Sequence, residues 1–220
     1  MKKTQIADVS RPGAGSPEAT ATRQPMHPFG RISDWVMWMS ATRANSWAGL
    51  VADCSVGIVL LYAGSRRHDL HPLGVLATLL SGLVLFSFVE YCFHRWLFHG
   101  PVRITEEGHR KHHDQPLGHD ALPFFVSPLL ILGLAGLLAS VFPVTFSLLL
   151  SGALAAGYAT YGLSHVLIHN RRFHHPLVRR WAAAHHIHHF HPDANFGVTS
   201  PLWDILLGTR YVSGKSMRTP

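Results

Sequence analysis

Residues 74–99 read GVLATLLSGLVLFSFVEYCFHRWLFH. Positions 74–93 carry one charge, Glu90, and then pass straight into a motif holding His94 and His99. At 1.5 Å per residue, such a run rises about 30 Å, the thickness of a bilayer's hydrocarbon core. It predicts a membrane-crossing helix that delivers two imidazoles to the membrane boundary. Residues 144–169, VTFSLLLSGALAAGYATYGLSHVLIH, repeat the arrangement: an apolar stretch over 144–163, then His165 and His169. Two more apolar stretches, 47–64 and 124–142, bring the predicted spans to four, with Pro143 turning the last two into a tight hairpin.

Composition agrees with a membrane protein. The chain has 220 residues, one domain's length, and 47% are hydrophobic while only 14% are charged. Soluble domains carry about 25% charge, so a disordered chain, a coiled coil and an ordinary soluble domain are all excluded. The net charge of +7, set beside such apolar runs, points to anionic lipid and not to nucleic acid. Cys54 and Cys92 make neither a disulfide framework nor a zinc-thiolate site.

Of the 19 Lys and Arg, only Arg66 and Arg67 fall on the outer side if the N-terminus is cytoplasmic. The positive-inside rule therefore orients the protein, with both histidine-rich segments in the cytoplasm. Residues 1–30 form a polar tail, 31–212 the membrane-embedded domain and 213–220 a second tail. Lys2 and Lys3 precede no apolar core, so no cleavable signal peptide is expected. Over Arg31–Thr42, a stripe of Ile32, Trp35, Val36 and Met39 predicts either a helix on the bilayer surface or an amphipathic core helix.

Histidine is the outlier: there are 18, and 15 lie within 94–119 and 165–191. His109, His112 and His113 are spaced i, i+3, i+4, as are His185, His188 and His189, so each trio shares a helix face. His165 and His169 are i, i+4 on a helix leaving the last span. His94 and His99 are five apart, which requires a helix end, a π-bulge or two different ions. Ten neutral imidazoles exceed the needs of one ion, so two ions with about five nitrogens each are expected. Imidazole alone does not choose among Zn, Cu, Fe and Ni.

Glu90, one turn before His94, is the candidate acceptor for that ring's second N–H, and Asp114 is a weaker one for His113. His27, His68, His71, His119, His174, His175, His186 and His191 read as surface positions, with lining of the site mouth the alternative for His174 and His175 and substitute ligation the alternative for His186 and His191. A metal transporter or sensor and a bis-histidine haem protein are the competing classes. Both call for ligands within the spans, and the stretches 47–64 and 124–142 hold no histidine.

The ordered motifs HRWLFH, HRKHH, HVLIH and HHIHHF, followed by NFGVTSPLWDILLGT (195–209), resemble the fatty acid hydroxylase (sterol desaturase) superfamily of membrane histidine-rich di-iron enzymes, and most closely its fatty acid 2-hydroxylase branch. The resemblance implies an all-α fold: four transmembrane helices under a cytoplasmic helical cap that holds a dimetal site. It implies that His94, His99, His109, His112, His113, His165, His169, His185, His188 and His189 bind two iron ions, with zinc an alternative occupant after purification. It also implies O2 as co-substrate, a membrane lipid substrate and a separate electron-transfer protein, since 46 residues before the first span are too few for a fused cytochrome b5 domain. Phe196, Trp203 and Leu207 would pack the cap, and Tyr161 and Phe196 are substrate-site candidates. Tyr161-Gly162 stands where the 2-hydroxylases tend to carry Tyr-Asp. The expected reaction is hydroxylation of an unactivated C–H bond of a fatty acyl chain, with carotenoid or sterol-type hydroxylation or desaturation as alternatives.

Overall fold

The computed structural model describes Trp35, residues 38–118 and residues 121–213. Residues 1–30, His27 among them, and 214–220, His119, Asp120 and half of the predicted surface helix over Arg31–Thr42 (residues 31–34, 36 and 37) lie outside the described residues. Among the described residues every regular element is helical. They are α1 (Arg43–Ser65), α2 (Pro72–Cys92), a π-helical segment (Phe93–Phe98), α3 (Arg103–Asp114), α4 (Val126–Ala139), α5 (Val144–Asn170), α6 (Pro176–Phe190) and α7 (Leu202–Leu206).

Helix starts follow from capping chemistry. The Thr42 hydroxyl accepts the Asn45 N–H at 3.1 Å to open α1. His71 caps α2 and Pro72 follows at its first position, where no N–H is needed. Three helical stretches are long and apolar enough to cross a membrane: Arg43–Ser65, Pro72–Phe98 and Val144–Asn170.

The stretch 124–142, expected to span, forms a helix of only 14 residues, Val126–Ala139. That rise of about 21 Å is shorter than a hydrocarbon core. Its ends are spent in turns. Asn45 of α1 donates to the Leu122 carbonyl at 2.8 Å and accepts the Phe124 N–H at 2.9 Å. At the other end Val141 and Phe142 fold back onto the Leu138 carbonyl ahead of Pro143, and a residue before proline disfavours helix. A third anchor is buried Asp53 of α1, which accepts the Ser127 hydroxyl at 2.7 Å.

α5 is the central post, packed against α1, α2 and α4. Its buried face is built of Ser147, Ser151, Gly152, Ala153, Ala155, Gly157 and Ala159. Small residues let helix backbones approach closely where lipid offers no hydrophobic drive for helix pairing. A Cβ on Gly157 would fall 2.4 Å from Phe86 Cγ, and one on Gly82 would fall 2.6 Å from Ala153 Cβ. The outer faces carry exposed Ile58, Leu76, Leu80 and Leu130, suited to lipid.

Gly157→Val should overfill the α2–α5 contact and destabilise the fold by about 1–3 kcal/mol. Gly133→Ala, with open space around the new methyl, should not. Thermal unfolding in detergent compares the two, and equal midpoints would contradict the close approach.

Candidate metal centre

The last turns of the second spanning helix are wound as a π-helix, Phe93–Phe98. The His99 N–H donates to the His94 carbonyl at 3.2 Å, an i to i+5 bond. The wider turn brings residues five apart onto one side, and the His94 and His99 rings lie 5.3 Å apart. Of the three ways to use this spacing, the backbone adopts the π-bulge. The Thr105 hydroxyl, in the first turn of α3, donates to the Leu97 carbonyl at 2.7 Å and ties the next histidine helix to this segment.

The imidazoles converge in two groups. His94, His99, His109, His113 and His188 have ligand nitrogens all within 4.8 Å of one another, and so do His112, His165, His169 and His185. His189, the tenth expected member, faces His185 with Nε2 atoms 3.2 Å apart, and its ring stacks on His113. α3 and α6 each send histidines to both groups, as their i, i+3, i+4 spacing permits.

Nitrogen-to-nitrogen distances describe what the groups can hold. His109 Nε2 lies 3.0 Å from His94 Nε2, 3.0 Å from His99 Nε2 and 3.1 Å from His113 Nε2. One imidazole nitrogen carries either one proton or one lone pair, so it cannot hydrogen-bond to three neighbours at once. A shared cation removes the conflict. Two nitrogens held at right angles about an ion at about 2.1 Å lie about 3.0 Å apart. The same spacing recurs at His99–His188, His112–His165 and His169–His185, each 3.0 Å. The donor set therefore fits metal ions, and an all-nitrogen set suits a transition metal.

Protonation agrees. Burial first, then repulsion among the imidazoles, pushes His109, His185 and His189 down from the usual histidine range. Burial likewise takes His99 down to about 4 and His188 to about 3. These rings are neutral at pH 7 and offer lone pairs.

The other ring nitrogen is fixed where it matters most. His94 Nδ1 meets the Phe196 carbonyl at 2.5 Å, and His188 Nδ1 meets the Ala194 carbonyl at 2.7 Å. A carbonyl only accepts, so each ring holds its proton on Nδ1 and turns the Nε2 lone pair inward. Glu90, expected on the His94 ring, does something else. Its Oε1 accepts the N–H groups of Val198 (2.5 Å) and Thr199 (2.8 Å), and its Oε2 accepts the Thr199 hydroxyl. It thus acts on His94 only through the 195–209 segment. Asp114 is exposed at the end of α3, and burial holds neighbouring His113 below the usual histidine range despite the Asp114 charge.

Asp204 is the residue that sequence reasoning missed. It is 1% exposed; Oδ1 accepts the Phe196 N–H at 2.8 Å and the Thr209 hydroxyl at 2.7 Å, and Oδ2 accepts the Gly197 N–H at 2.8 Å. An acid inside the apolar run PLWDILL was the available signal. Tyr91, fully buried, extends the network: its hydroxyl lies 3.1 Å from Thr209 Oγ1 and accepts from Arg95 at 2.8 Å.

Phe196 is buried with its ring 5.6–5.9 Å from those of His94, His99 and His188. Tyr161 lies parallel to His165 at 5.8 Å. Both substrate-site candidates therefore border the histidine groups, one each. Trp203 packs on Phe88 at 4.6 Å, but Leu207, expected to pack, is 47% exposed because inward Asp204 turns the apolar side of α7 outward. His174, His175, His186 and His191 are exposed and outside both groups.

Comparison with known proteins identifies the family. The family model described as fatty acid hydroxylase matches residues 79–209. A dihydroceramide fatty acyl 2-hydroxylase of Arabidopsis thaliana is 29% identical over 147 residues, covering 61% of this chain and 61% of the relative. The human fatty acid 2-hydroxylase is 30% identical over 148 residues, covering 59% of this chain but 38% of the relative. The matched part is thus about three fifths or less of these curated relatives. A solved chain described as full-length scs7p, with only its hydroxylase domain visible, superposes with a TM-score of 0.69 at 21% identity, covering 86% of this chain and 74% of that one.

Asp204→Ala leaves two buried N–H groups and a hydroxyl without an acceptor, at about 1–3 kcal/mol each. It should lower the melting temperature strongly and weaken metal retention by about 10–100-fold. Glu90→Gln, which keeps one acceptor oxygen, should have the smaller effect. Elemental analysis with thermal unfolding checks both, and unchanged metal content in Asp204→Ala would break the link from carboxylate to histidine.

Proposed function

The chain belongs to the fatty acid hydroxylase family, and on that premise we propose that it is a membrane-bound, O2-dependent di-iron enzyme that hydroxylates a fatty acyl chain of a membrane lipid. The observation carrying this reading is the pair of inward-facing nitrogen groups at one end of long apolar helices. That placement would bring a metal pair to the depth at which a lipid's polar end meets its chain. The names of the relatives, fatty acyl and fatty acid 2-hydroxylases, support carbon 2 as the position.

In this reading residues 31–212 form one domain. α4 completes a four-helix membrane bundle, and α3, α6 and α7 make a cap on the cytoplasmic side. The sidedness rests on the distribution of Lys and Arg.

His94, His99, His109, His113 and His188 would hold one iron ion, and His112, His165, His169, His185 and His189 the other. An iron pair so held supplies reductive activation of O2 and insertion of one oxygen atom into a C–H bond. The protein's share is placement and protection. The Phe196 and Ala194 carbonyls keep His94 and His188 in the tautomer that presents Nε2. Neutral nitrogen donors bring no negative charge of their own, so the ions they would hold would keep their full positive charge. The rings of Phe196 and Tyr161 border the two groups with apolar surface, which excludes water and limits how a chain can approach.

The test compares lipids of cells producing the wild-type chain with those of cells producing His112→Ala or His188→Ala. An acyl species heavier by one oxygen atom should appear with the wild type and vanish in both variants, while both variants remain in the membrane. Mass-spectrometric fragmentation should place the hydroxyl at carbon 2. A species lighter by two hydrogens would make the protein a desaturase, and turnover retained in both variants would overturn the ligand assignment.

A further inference from the structure

A basic surface covers the turn between α5 and α6. Arg171 and Arg172 follow α5 directly, and Arg179 and Arg180 lie in the first turns of α6; all four are exposed. The sequence has no Asp or Glu between Asp120 and Asp193, so no acid on either helix offsets them. α3 differs, because its Arg103 and Arg110 are paired with Glu107 and Glu106. Among the described residues no carboxylate pairs with the four arginines. Leu177, 66% exposed, sits between the two arginine pairs in sequence and adds an apolar side chain to this stretch.

The surface lies close to the metal centre. Arg171 is two residues beyond His169, and Arg180 is five residues, about 7.5 Å of helix rise, before His185. His169 and His185 belong to the same four-histidine group. Hydroxylation joins one oxygen atom of O2 to the substrate and reduces the other to water, which consumes two electrons and two protons. The electrons must arrive from outside, and the shortest covalent routes from this surface run through α5 and α6 into that group.

Resting on the hydroxylase reading, the geometry points to Arg171, Arg172, Arg179 and Arg180, with Leu177, as the docking surface for an acidic one-electron carrier protein. Charge complementarity selects this occupant: a basic surface steers an acidic partner and sets its orientation. Lipid headgroups are the other ligand for a juxtamembrane basic cluster. An exposed apolar ridge better suited to the bilayer, however, is on α7, where Leu202, Ile205 and Leu206 are exposed and Trp203 packs on the spanning helix.

The experiment uses the iron-loaded full chain in zwitterionic nanodiscs, with a plant-type [2Fe–2S] ferredoxin as the acidic probe. Ferredoxin should bind the wild type with an affinity that falls as salt rises. Reversing all four arginines to Glu should weaken binding at least tenfold and reduce ferredoxin-driven hydroxylation in step. Dithionite-driven hydroxylation should stay at the wild-type level. Replacing all four by Lys should preserve binding. If the fourfold reversal also loses dithionite-driven activity, Arg171→Glu with Arg172→Glu, and Arg179→Glu with Arg180→Glu, carry the same comparison as separate pairs. Absence of ferredoxin binding, or equal binding by wild type and reversed variants, overturns the proposal. Phosphatidylserine raising the melting temperature of the wild type alone, with ferredoxin binding alike in both, assigns the arginines to lipid and also overturns it. Absence of hydroxylation by the wild type with dithionite overturns the hydroxylase reading instead, and the binding comparison then decides the role of the surface by itself.

Discussion

Two ring-to-carbonyl contacts, His94 to Phe196 and His188 to Ala194, determine how the histidine groups can work. An imidazole that is free to choose its tautomer presents a lone pair only part of the time. These two rings have no such choice, and both belong to the five-histidine group. The carbonyls keep their aim because the segment behind them is clamped. Glu90 and Asp204, both buried, together accept the N–H groups of residues 196 to 199 in succession. Charge-assisted bonds in a dry setting are about twice as strong as neutral ones, and they offset much of the cost of burying the two acids. The clamp also joins parts of the chain that are far apart, since Glu90 lies in a spanning helix and Asp204 near the C-terminus.

The membrane helices serve the same end. α5 is the post on which α1, α2 and α4 rest, and its small-residue face lets α2 come close at Gly157 and Gly82. That closeness sets the spacing between the histidine-bearing end of α5 and the π-helical segment that follows α2, where His165 and His94 lie. From there each helix solves a local problem. α5 continues regularly, and His165 and His169 share its face. The second spanning helix widens into a π-turn, which gives His94 and His99 a common side that a regular α-helix would deny them.

Much of this was legible in the residues alone. The apolar runs announced the three helices long enough to cross a membrane, and the i, i+3, i+4 spacing placed six histidines on α3 and α6. Other features had no local signal. The run 124–142 is as apolar as its neighbours, yet its ends are spent in turns held by Asn45, which is distant in sequence. Glu90 was singled out for its position one turn below His94, but its partners lie more than a hundred residues away. Asp204 sat unnoticed in an apolar run, because a period-based reading registers one acid in a short helix as a break and not as an anchor.

By itself, then, the sequence determined the family of the protein, the candidate nitrogen donors and the helices that carry most of them. These follow from hydrophobicity and helical period, which are properties of neighbouring residues. Only the tertiary structure decided how nine imidazoles fall into a group of five and a group of four with His189 beside the second, which ring nitrogens face inward, and which acids hold the segment that aims them. Those outcomes depend on contacts of about 3 Å between groups far apart along the chain, and such distances exist only once the helices have packed.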